Sequence, residues 1–110
     1  MDEWCYIFND NDNTVDDFIF QWKIIMEILI RQQMKTIIIM DVSKTNIFSI
    51  TKIMKIIGFI SSNKKRLKET SKKIQILTSN DTQELAIKNA LLLSPVRICE
   101  FEILKNVVDV

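Results

Sequence analysis

Histidine is absent from this 110-residue chain, glycine and proline occur once each, and cysteine occurs twice. The lack of histidine removes the usual general base, the usual triad member and the commonest metal ligand. A single glycine, Gly58, leaves no glycine-rich phosphate loop. No coherent nucleophile–base pair stands out, so an enzyme is the least expected class, and neither a cofactor nor a metal is implied. Cys5 and Cys99 both fall in strand-like segments and read as free thiols in a reducing, intracellular setting. No apolar run reaches the length of a membrane span. The longest candidate, 18–30, is broken by Gln21, Lys23 and Glu27. The opening MDEW lacks a basic segment leading into an apolar one, so no signal peptide is expected. A formal net charge of +1 does not suit a dedicated nucleic-acid binder.

What is present is apolar and ordered. Hydrophobic residues make up 47% of the chain, enough for one core and one domain over residues 1–110. Ile, Lys and Asn are abundant, as AT-rich codons would give, which suits a large DNA virus, an organelle or an AT-rich microbe. Strand-like runs at 4–8, 36–41, 74–78 and 96–103 alternate with helical periods at 15–33, from 47 into the 60s, and at 82–93. That alternation calls for crossover connections and a mainly parallel four-stranded sheet with three helices. Thr14 is the expected cap of the first helix, Thr45 or Asn46 of the second, and Asn80 or Asp81 of the third. The TIII run at 36–39 suggests a strand buried on both faces. Gly58 costs about 1 kcal/mol within a helix relative to Ala, and a close approach of helix to sheet would explain it.

In size and element order the chain resembles the STAS domain, the fold of bacterial anti-sigma-factor antagonists, and in particular short STAS-like proteins of large DNA viruses. The residues carrying the likeness are Thr36–Asp41 as the buried strand, Asn46–Ile50 opening a long helix, Lys72–Leu77 as the next strand, and Ser94-Pro95-Val96 entering the last. The resemblance implies a three-layer domain with sheet order 2-1-3-4 and helices on both faces. It would keep Cys5 and Cys99 on strands that are not neighbours. It also implies a phosphorylatable serine at the start of the long helix, where only Ser49 matches and the motif's Asp and Gly are missing. A viral origin, with a place in the virion or the host cytoplasm, follows as an expectation.

The remaining candidates come from the residues themselves. On the first helix Val15, Phe18, Ile19, Trp22, Ile25, Met26, Leu29 and Ile30 share one face, while Phe20, Ile24 and Ile28 form a second row on the opposite side. A helix covering an open sheet should show polar residues there, so this row is the expected interface with a protein partner or a second copy. On the second helix Ile50, Ile53, Met54, Ile57 and Ile60 are expected inward, with Phe48 and Phe59 outward. Asp41 and Asn46 lie where ligands of open α/β sheets bind, at the carboxyl ends of strands, and leave a receiver-like or small-ligand reading open. Asp10, Asp12 and Thr14 imitate a calcium loop, but Val15 stands where the turn needs Gly and Gln21 where it needs Glu. Lys64, Lys65, Arg66, Lys68, Lys72 and Lys73 form the one basic cluster, a solvated helix end or, through the first four, an anion-binding surface. Nucleic acid is not the expected partner.

Overall fold

The computed structural model describes residues 2–11, 13–45, 49–93 and 97–105. Eight elements follow in order: β1 (Glu3–Ile7), α1 (Thr14–Gln32), β2 (Thr36–Asp41), α2 (Ile50–Ser62), α3 (Lys64–Thr70), β3 (Ser71–Thr78), α4 (Asp81–Leu93) and β4 (Glu100–Lys105). The four strands form one sheet in the order β1-β2-β3-β4, and every neighbouring pair is parallel.

This order corrects the 2-1-3-4 arrangement. β1 is an edge strand, and its side chains alternate in the manner of an edge: Trp4 and Tyr6 turn towards the helices while Glu3, Cys5 and Ile7 are exposed. The three-layer expectation fails for the same reason. When consecutive parallel strands are laid down side by side in one direction, right-handed crossovers put every helix on the same face. The packing agrees. One core cluster joins Phe8, Ile38, Met40, Ile74 and Ile76 from the sheet with Phe18, Trp22 and Met26 of α1, Ile53, Ile56, Phe59 and Ile60 of α2, Leu67 of α3, and Ile87 and Ala90 of α4. Helices from all three crossovers therefore share one side of the sheet, which makes a two-layer domain. β2 is central in the sheet, as its TIII run suggested, but Ile37 and Ile39 are only half-buried because no helix covers their face.

The core is largely aromatic beneath α1. Phe18 stacks on Trp4 at 5.5 Å between ring centroids and meets Phe8 at 4.9 Å and Trp22 at 5.2 Å, and Trp22 in turn meets Phe59 at 5.3 Å. Such rings contribute large apolar areas and prefer tilted or offset contacts. Phe59 is thus inside, not outside. The inward face of α2 is formed by Ile53, Ile56, Phe59 and Ile60, while Ile50 and Met54 are exposed. The helix is turned relative to expectation because Trp22 offers Phe59 an aromatic pocket.

Four helices form where three were expected. The long second period breaks at Asn63, whose φ of −122° and ψ of 24° leave the helical region. Its side-chain amide donates to the Phe59 carbonyl at 2.9 Å, a local bond that competes with continuation of the helix. α3 then restarts with Leu67 N–H donating to Asn63 O at 2.9 Å. β3 begins earlier than expected, at Ser71, with a register shift opposite Thr36 and Ile37 that leaves Lys72 unmatched and exposed. β4 begins later, at Glu100; Ser94, Pro95 and Val96 lie outside the described residues. The cap of α1 is Asn13 and not Thr14, whose hydroxyl donates instead to Asn11 O at 3.0 Å.

Gly58 lies on the outer face of α2. A Cβ added there would meet nothing within 4 Å, so close packing against the sheet is not the reason for this glycine. Gly58→Ala is therefore expected to raise stability by about 0.5–1 kcal/mol through helix propensity and a restricted unfolded chain, read from the urea midpoint. A lower midpoint would contradict the open environment of this residue.

Candidate functional site

The outer face of α1 is the clearest surface. Its inner face is set by Val15, Phe18, Trp22, Met26 and Leu29, all buried. Turned away from them, Phe20 is 62% exposed, Ile24 46% and Ile28 42%. The row is bordered by charges. Asp16 pairs with Lys55 of α2 at 3.5 Å, Glu27 pairs with Arg66 of α3, and Arg31 is exposed in the last turn. Asp17 accepts hydrogen bonds from the Tyr6 hydroxyl at 2.6 Å and from Gln21 Nε2 at 3.0 Å. The buried stripe through Trp22, flanked by these lateral contacts, sets the rotation of α1 and leaves the apolar row facing outward. Phe20, Ile24 and Ile28 come together as expected.

The carboxyl ends of the strands gather polar side chains, but these are engaged in holding the loops. Asp41 is buried at the end of β2, and its carboxylate accepts from the backbone N–H of Ser43 at 3.0 Å and from the Ser43 hydroxyl. Ser49 is half-buried and caps α2, its hydroxyl oxygen accepting from Lys52 N–H at 3.4 Å. Thr45, the other expected cap, is buried before the helix begins, and Asn46 lies outside the described residues, as do Phe48 and Asp12. Asn80 caps α4 through Gln83 N–H at 2.9 Å. Gln83 in turn accepts from Ser79 N–H at 2.9 Å and donates to Val42 O at 3.3 Å and Thr45 O at 2.8 Å, clasping the β2 loop to α4. Among the described residues the strand order never reverses, so they form no topological switch point, the place where open α/β sheets form their ligand crevice.

Lys64, Lys65, Arg66 and Lys68 sit on the short α3 and not at the end of a long helix, while Lys72 and Lys73 belong to β3. Lys64, Lys65 and Lys68 are exposed, while Arg66 is engaged with Glu27. Cys5 and Cys99 are free thiols, with β1 and β4 at opposite edges of the sheet. Between α4 and β4 a groove of about 400 Å³ is lined by Lys88, Leu91, Leu92, Arg97, Cys99 and Phe101, among others. Burial above all pushes the Cys99 thiol up to about 11, which makes it a poor nucleophile near neutral pH. Among the described residues no group of His, Cys, Asp or Glu could hold a metal ion. Among them, too, no helix is long and apolar enough to cross a membrane.

Two surfaces were missed by sequence reasoning. The uncovered sheet face carries Cys5 and Ile7 of β1, Ile37 and Ile39 of β2, Leu77 of β3 and Leu104 of β4, with a Lys73–Glu102 ion pair at 2.9 Å across the last two strands. The alternation of EWCYI was the available signal for an open face. On α4, Leu85 and Leu92 are exposed at a spacing of seven residues, a heptad-like pattern visible in the sequence.

The fold and its surfaces define a two-layer α/β domain with all helices on one side of a serially ordered parallel sheet. No family model, curated protein or solved structure matches the chain.

Two tests follow from these contacts. Removing the clasp by Gln83→Ala is expected to lower unfolding free energy by about 1–3 kcal/mol, since the Thr45 carbonyl loses this donor while Val42 O keeps only the Thr45 N–H. An unchanged urea midpoint would show that the clasp does not matter. Burial first, and the Asp17 hydrogen bond second, hold the Tyr6 phenol above its ordinary value. The folded chain then keeps that proton more tightly than the unfolded one. Its contribution is complete below a pH of about 10 and is lost as pH rises further. The urea midpoint of the parent protein should accordingly fall more steeply above about pH 10 than that of Tyr6→Phe. Parallel slopes would remove this linkage.

Proposed function

We propose that this chain is a non-enzymatic protein-interaction module of STAS-like character that docks a protein through the outer face of α1. The observation that carries the reading is the exposure of Phe20, Ile24 and Ile28 on a helix whose opposite face is already fully packed. Burying three such side chains would contribute roughly 1.5–3 kcal/mol each before the cost of association. Only the alternation of strands and helices supports the STAS-like part of the reading; the sheet order, the single helical layer and the fourth helix depart from what that resemblance implied. Partner switching by phosphorylation at Ser49 has less support, because that hydroxyl caps α2 and the motif around it is incomplete. A ligand-binding or receiver-like role near Asp41 has less again, because Asp41 is turned onto Ser43 and the described residues offer no switch-point crevice.

The open sheet face is a second docking reading, favoured by its half-buried Ile37, Ile39 and Leu77. Against it, any cover would have to desolvate the Lys73–Glu102 pair. The α1 row carries no such penalty at its centre.

The test compares variants at exposed positions. Ile24→Lys is expected to abolish co-purification of partners from the native host, or self-association of the purified chain, while Leu92→Lys and Ile7→Lys leave both intact. All three should unfold cooperatively. Loss with Ile7→Lys and not with Ile24→Lys would transfer the function to the sheet face. Identical behaviour of all variants would reject docking through either surface.

A further inference from the structure

Within that reading, on which this inference rests, we propose that the partner is a second copy of this chain. It binds across a twofold axis passing by Ile24, so that the two first helices lie antiparallel. The exposed residues of α1 are arranged symmetrically about Ile24. Four positions before it stands Phe20, and four positions after it stands Ile28. Seven positions before it stands Asp17, and seven after it stands Arg31, both exposed; the Asp17 hydrogen bonds to Tyr6 and Gln21 both use Oδ2, and its other oxygen can accept from an arginine. Seven residues return a helix almost to the same angle, so Asp17, Ile24 and Arg31 lie along one line on the outer face. A twofold axis at Ile24 then sets Ile24 against Ile24 of the other copy, each Phe20 against an Ile28, and each Asp17 against an Arg31.

A parallel alignment would instead set Asp17 against Asp17 and Arg31 against Arg31. The antiparallel one also opposes the two helix dipoles. The self-complementary patch is what an isologous dimer requires. At the shallow crossing of about 20° common for packed antiparallel helices, Arg31 reaches across to Asp17 of the second copy. One helix face is smaller than the roughly 800 Å² per partner of stable complexes, so the dimer should dissociate on dilution, with an affinity on the order of micromolar to millimolar.

The experiment is sedimentation equilibrium on the full chain and its charge variants. The parent protein is expected to dimerise reversibly, and Ile24→Lys to remain monomeric. Asp17→Lys and Arg31→Glu should each weaken self-association by about tenfold, because each places like charges opposite one another twice per dimer. An equimolar mixture of these two variants should dimerise as well as the parent, because both cross-helix pairs are then of opposite sign. For orientation, in a Cys5→Ser background, Phe20→Cys and Ile28→Cys chains should form a disulfide with each other and not each with itself. Self-linking of each variant, or no rescue on mixing, would overturn the antiparallel twofold. A parent protein that stays monomeric at millimolar concentration would overturn the second copy as partner while leaving α1 free to dock another protein. A dimer insensitive to Ile24→Lys would instead overturn the α1 reading itself.

Discussion

The handedness of the βαβ crossover governs this molecule. Each of the three connections joins a strand to its immediate parallel neighbour, always stepping in the same direction. A right-handed path over such a step leaves no choice of face, so α1, α2, α3 and α4 accumulate on one side. Everything that follows is a consequence. One sheet face gathers the whole core, from Phe8 and Trp22 to Ile76, and the other is left with half-buried Ile37, Ile39 and Leu77. A single helical layer has to seal the core alone, which is why its inner faces are crowded with Phe18, Trp22, Met26, Ile56 and Phe59. Having one layer also means that, among the described residues, no second layer of helices covers the outer faces.

Local sequence rules read the elements well where one signal dominated. β2 was legible to the residue because Thr36–Asp41 is short, branched and bounded by polar loops. α1 was legible nearly so, and with it the division between the buried stripe through Trp22 and the exposed row through Ile24. Asn80 was legible as a cap. What could not be read was long-range. The phase of α2 depends on Trp22 receiving Phe59, a contact between residues far apart in sequence, and isoleucine at almost every turn left several phases equally apolar. The break at Asn63 depends on one side-chain amide choosing the Phe59 carbonyl. The order of strands was not in the periodicity at all. The resemblance implies 2-1-3-4, whereas the alternating exposure of β1 in the structure is that of an edge strand.

The candidate chemistry at the strand ends was visible as residue types but not as partnerships. Asp41, Ser49, Asn80 and Gln83 are the kinds of side chain that build active sites, and they do lie at the carboxyl end of the sheet. Their hydrogen bonds run inward to backbone groups: Asp41 to the Ser43 amide, Ser49 to the Lys52 amide, Gln83 to the Val42 and Thr45 carbonyls. A side chain that satisfies the backbone of its own loop is poorly placed to bind a substrate without first breaking that loop. Buried carbonyls and amides must find partners somewhere, and in a chain with one glycine and one proline the loops cannot close on tight backbone turns alone.

The same economy separates α1 from the other outward helices. Leu85 and Leu92 on α4, and Ile50 and Met54 on α2, are also exposed, so an apolar residue facing out is not in itself informative in so isoleucine-rich a chain. α1 differs in that its exposed apolar residues run over three successive turns and are flanked by lateral contacts, to Tyr6 on one side and to Lys55 and Arg66 on the other. A side chain on a helix free to rotate can turn its apolar atoms inward. One on a helix pinned at Trp22 below and at both edges cannot, and its contact with water persists until another molecule removes it. The aromatic cluster that gives the fold its core is therefore also what keeps Phe20, Ile24 and Ile28 outside it, so the surface and the stability of this domain have a common origin in the packing around Phe18 and Trp22.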